Sequence, residues 1–138
     1  MATTPIEQRR YGLRRRLDIP FDQAMHQTRE ALKAQGFGVL TEIDVKATLH
    51  AKLGIDMDPY VILGACNPPL AYKALTAEPE VGLLLPCNVV VRADEGGTVV
   101  EAMDPEAAMT IVENPVVHEV AVEARRRLAA ALDALVTH

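Results

Sequence analysis

The chain has 138 residues, 49% of them apolar and 24% charged, which suits one globular domain with a core of its own. A net charge of -5 at pH 7 argues against nucleic acid as a partner. With no tryptophan and only 4% aromatic residues, the core must be built from Val, Leu, Ile, Ala and Met. Met1 to Tyr11 lacks the apolar segment of a signal peptide, and no run approaches the roughly 18 apolar residues of a membrane helix. The expected setting is therefore the cytoplasm, with no membrane partner and with the two cysteines reduced. One domain is expected over residues 1–138, of which about 1–10 form an N-terminal extension.

In Tyr11–Asp18, Leu13 and Leu17 alternate with Arg14, Arg16 and Asp18, predicting a strand with one wet face; Arg15 interrupts the pattern. Pro20 ends the strand. Phe21, Met25, Thr28 and Leu32 then recur at helical spacing, and Gly36 and Gly38 stop that helix around Phe37. Val39, Thr41 and Ile43 alternate with Leu40, Glu42 and Asp44 as a second strand, and a short helix over about Lys46–Leu53 closes at Gly54. Tyr60–Ala65 is a continuous apolar run of strand length, the mark of a strand inside a sheet.

Here the chain reaches the first of two related stretches, Gly64-Ala65-Cys66-Asn67-Pro68; the second is Leu85-Pro86-Cys87-Asn88. Asn67-Pro68 has the form of a helix start, asparagine as N-cap and proline in the first turn, with Leu70, Ala71, Ala74 and Leu75 as the buried stripe. Glu78-Pro79 starts another turn or two that Pro86 ends. Cys87–Arg92 and Thr98–Met103 read as a hairpin joined by Ala93–Gly97. Asp104-Pro105 and Asn114-Pro115 repeat the cap-then-proline signature. The last helix has the cleanest stripe in the chain: Val117, Ala121, Ala124, Leu128, Ala131, Leu132 and Leu135. Together these elements predict an α+β domain, a mostly antiparallel five-stranded sheet covered by helices.

The chain resembles the DUF302 family, small bacterial and archaeal proteins of unknown function, from about Leu13 to Leu135. The resemblance rests on Gly36-Phe37-Gly38-Val39 with Ile43-Asp44-Val45, on Gly64-Ala65-Cys66-Asn67-Pro68, on Leu85-Pro86-Cys87-Asn88-Val89-Val90-Val91, and on Asp104-Pro105. It implies a compact α+β fold with an antiparallel sheet and a homodimer. It implies no activity.

The two Cys-Asn pairs are where the residues themselves point to chemistry. A strand ending at Cys66 and another beginning at Cys87 could bring both thiols to one end of a sheet. A free cysteine is more often a small core hydrophobe than a nucleophile. Cys66, however, precedes a predicted helix N-terminus, where unpaired N–H groups and the helix dipole favour a thiolate. Asn67 and Asn88 have ordinary readings as a helix cap and a strand-entry turn. A metal would need two further ligands, and His26, His50, His118 and His138 show no ligand-pair spacing with either cysteine, so no metal is assigned. Catalytic triads and phosphate loops are absent, and no cofactor is identified. The arginines at 9, 10, 14, 15 and 16 and at 125–127 read as solvated faces in preference to an anion site. The leading expectation is a homodimer, not an enzyme, that binds a small molecule near Cys66, Asn67, Cys87 and Asn88. The alternatives are a thiol-dependent enzyme or redox sensor using Cys66, Cys87 or both, and a structural or partner-binding module without a ligand.

Overall fold

The computed structural model describes residues 5–136. Its strands are β1 (Glu7–Gln8), β2 (Gly12–Leu17), β3 (Gly38–Asp44), β4 (Tyr60–Cys66), β5 (Cys87–Asp94) and β6 (Gly97–Met103), and its helices are α1 (Phe21–Ala34), α2 (Val45–Leu53), α3 (Pro68–Ala77), α4 (Pro105–Ala108) and α5 (Pro115–Asp133). Two 3₁₀ segments, Pro79–Leu84 and Met109–Ile111, complete it. The strands form one antiparallel sheet in the order β1-β2-β6-β5-β4-β3. The α+β architecture is as expected. The sheet gains a sixth strand, the two-residue β1, from within the expected N-terminal extension. Its residues, Glu7 and Gln8, are polar and exposed and have no alternation to announce them. Among the described residues no helix is long and apolar enough to cross a membrane.

The local stops and starts follow the chemistry of their residues. Gly36, at φ 83°, closes α1 with the Phe37 N–H on the Leu32 carbonyl and its own N–H on the Lys33 carbonyl, a Schellman end. Asn67, Asp104 and Asn114 cap α3, α4 and α5, each accepting backbone N–H groups ahead of a proline. The hairpin is tighter than the five-residue connection expected. Glu95 and Gly96 both have positive φ, so the turn needs only these two, and Ala93, Asp94 and Gly97 join the strands.

One face of the sheet is packed by α1 and α5, where Leu13, Leu17, Leu63, Val89, Val91 and Val100 meet Ala24, Leu32, Leu128 and Leu132. A second apolar cluster lies beside the first: Ala74, Val81, Met109, Val112, Val117 and Ala121. Helix α5 belongs to both, with its first half in the second cluster and its last turns on the sheet. On the sheet's other face, register aligns Arg14, Glu101, Val90, Ile62 and Ile43 in one row across five strands.

Arg15 does not interrupt β2. It occupies an inward position in strict alternation with Leu13 and Leu17, only 2% exposed. Its guanidinium donates to the carbonyls of Leu132 (2.7 Å), Asp133 (3.1 Å) and Leu135 at the end of α5. A cation at a helix C-terminus meets both the free carbonyls and the negative end of the dipole. Replacing it by alanine leaves buried carbonyls without that donor and opens a void. Arg15→Ala should therefore lose about 3 kcal/mol in urea unfolding, and Arg15→Lys should recover part of it. An unchanged midpoint for Arg15→Ala would remove this contact from the account of stability.

Candidate functional site

Strand β4 delivers Cys66 and β5 begins with Cys87. The pairing of Ala65 with Cys87 puts both thiols at the same end of the sheet, the arrangement expected of the two Cys-Asn stretches. Both are free thiols, Cys87 buried and Cys66 half-buried. They line one cavity of about 310 Å³ together with Asn67. Asn88 is not part of it. As the next residue of an alternating strand it points to the opposite face of the sheet, exposed.

The cavity is the gap between the two apolar clusters. Phe37, Ala65 and Cys87 wall it from the sheet side, and Met109, Val117 and Ala121 from the other. Small side chains keep it open: Ala71 and Ala74 on α3 and Ala121 and Ala124 on α5, the two helices that pack together here. In the sequence these alanines read as ordinary stripe residues, and their pairing at spacing three was the available signal. Leu40 also lines the cavity, which the sequence reading missed. A β-bulge between Val39 and Thr41 leaves Leu40 outside the ladder and breaks the expected alternation of β3. Opposite, Thr41 pairs with Gly64, where a Cβ would lie 2.2 Å from the Thr41 hydroxyl and 3.0 Å from Pro86 Cγ. The glycine of the first stretch thus lets Thr41 and the proline of the second close over it. The Leu85–Pro86 bond is cis.

Polar chemistry at the cavity is sparse. Asn67 accepts the Leu70 N–H at 3.2 Å and reaches the Gln35 carbonyl at 3.5 Å, so its amide is committed to holding α3 and the end of α1. Burial, and then the neighbouring Cys66, push the Cys87 thiol up to about 11. It is therefore a neutral thiol at pH 7. His26, His50 and His118 do not line the cavity, and His138 lies outside the described residues. Among the described residues, no group of three or more His, Cys, Asp or Glu side chains could hold a metal ion.

The arginine clusters are largely engaged in the fold. Arg125 holds the buried Asp104 at 3.3 Å, and Asp104 in turn accepts from Gln8 at 3.1 Å. Arg126 and Arg127 both bond Glu123, at 2.6 Å, and hold its carboxyl down to about 2. Arg16 pairs with Asp94 at 3.0 Å.

The Cys87 shift carries a sign. Below the ordinary value of 9.0 the thiol is protonated in folded and unfolded chains alike. Between there and about 11 only the unfolded chain ionises, so stability present below pH 9 is lost as pH rises. The loss should reach roughly 2 kcal/mol by pH 11. Unfolding free energies of the native chain and Cys87→Ala, compared from pH 7 to 11, should converge by that amount. Parallel curves would show that Cys87 ionises normally.

The comparisons with known proteins agree with the fold. The model of the family described as "Domain of unknown function DUF302" matches residues 13–135. No curated protein sequence matches the chain. A crystal structure of an uncharacterized conserved DUF302 protein from Bacillus stearothermophilus is similar to it at 33% identity and a TM-score of 0.83, over 89% of this chain and 96% of that one. Spanning nearly the whole described fold, these matches show that the chain belongs to the DUF302 family.

Proposed function

We propose that the chain binds a small apolar molecule in the cavity beside Cys66 and Cys87. The observation that carries this reading is the chemistry of the walls. Apart from the two thiols and Asn67, already engaged as a cap, every side chain lining the cavity is apolar. Ligand sites are concave and mostly apolar, and such a cavity favours an uncharged guest. A dry cavity of about 150 Å³ takes benzene, so the present 310 Å³ fits two fused rings or a short alkyl chain. Naphthalene and decanol serve as probes. Ala71→Phe, at a half-buried wall position, should fill the space and weaken both by about tenfold or more, read by calorimetry or by the shift in melting temperature. Probes that bind neither form would sink the reading.

The thiol-dependent alternative has one observation in its favour, two cysteines on one cavity, and one against it, the raised Cys87. The half-buried Cys66 is its natural nucleophile. Rapid alkylation by iodoacetamide at pH 7, abolished in Cys66→Ser and retained in Cys87→Ser, would favour this alternative over simple binding.

We infer that the working form is a twofold homodimer. Edge strand β3, α2 and the loop after it leave Leu40, Ile43, Leu53 and Ile55 exposed, and α2 has no buried residue. Apolar exposure along one edge of the sheet suits an isologous contact. Light scattering at micromolar concentration should give twice the chain mass, and Ile43→Glu with Leu53→Glu should give a monomer. A native chain that scatters as a monomer would overturn the assembly.

A further inference from the structure

On the sheet face opposite the cavity lies a groove of about 590 Å³, flanked by Arg9, Arg10, Arg14, Tyr11 and Tyr60. Its charge stands against that of the chain. Three arginines against Glu101 leave it at +2, in a protein of net charge -5. Glu101 is itself held by Arg92 at 2.9 Å, which takes most of its negative charge out of play. Among the described residues, Arg10 and Arg14 are the arginines with neither an ion pair nor a hydrogen bond to their guanidinium; each of the other eight has one or both. Both line this groove, and they come from the loop before β2 and from β2 itself. The floor beside them is apolar, from Val90 and Met103, and Tyr11 stands 74% exposed. Unpartnered cations converging on an apolar floor with aromatic rings at hand suit an anion joined to a flat apolar body.

We propose that this groove is a second binding site, independent of the cavity, for a small organic anion whose phosphate or carboxylate is held by Arg10 and Arg14 and whose ring lies against Tyr11, Tyr60 and Val90. The guanidinium fork matches either acid group, so the probes separate them: 1-naphthyl phosphate and 1-naphthoate, with inorganic phosphate and neutral 1-naphthol beside them. Neither guanidinium bonds to any other described residue, so substitution of these side chains should leave the thermal midpoint unchanged.

In fluorescence titrations at low salt, at least one naphthyl acid should bind more tightly than inorganic phosphate. Its affinity should fall as sodium chloride is raised. The pair Arg10→Gln and Arg14→Gln should weaken it by about tenfold. Arg126→Gln, on a cation already paired with Glu123, should leave it unchanged, as should the cavity-filling Ala71→Phe. Equal affinity in the double glutamine variant overturns the site, and so does an equal loss in Arg126→Gln, which would mark non-specific attraction. Binding abolished by Ala71→Phe would place the probe in the cavity and overturn it as well.

Discussion

Much of this fold depends on how the far end of its longest helix is held. Arg15 reaches from β2 to the carbonyls that end α5 and fixes that end against the sheet. A 19-residue helix runs about 28 Å, longer than its last turns need to cover the strands. With one end pinned, the first half must be covered by something other than the sheet. Helix α3, α4 and the two 3₁₀ segments supply that cover as a second apolar cluster. The cavity exists because the two clusters share α5 without closing on each other.

What was legible in the sequence is what short-range chemistry decides. The Asn-Pro and Asp-Pro starts, the Gly36 stop and the α5 stripe each carry their reason within a few residues, and each stands where it was expected. Contacts between distant parts of the chain were not legible. Arg15 read as an interruption because its acceptors lie 117 to 120 residues away, at the other end of the chain. Val39 parted from Thr41 and Ile43, expected on one face, because a bulge is settled by the partner strand. Asn88 is a different case. Strict alternation already separates it from Cys87, and grouping the two Cys-Asn pairs by composition obscured that.

The two faces of β5 and β4 present different surroundings. Toward the helices, strand residues are apolar, the thiol of Cys87 is kept neutral by its surroundings, and an uncharged guest fits. Away from them, the same strands carry Tyr60, Asn88 and Val90 beside arginines from β2 and the loop before it. A single sheet, about one residue thick, separates an apolar cavity from a cationic groove. Residues next to each other in sequence face different environments, so a substitution at one strand position bears on one face while its neighbour bears on the other.

The close approach at Gly64 bears on how such a chain can diverge. Its missing Cβ is not a local convenience but the shared boundary of three segments, since the space it leaves is taken by Thr41 from one side and Pro86 from the other. Any side chain gained at position 64 must be matched by one lost at 41, and Pro86 must also shift. Drift at these three positions is therefore coupled. Lineages can cross it only by compensated steps.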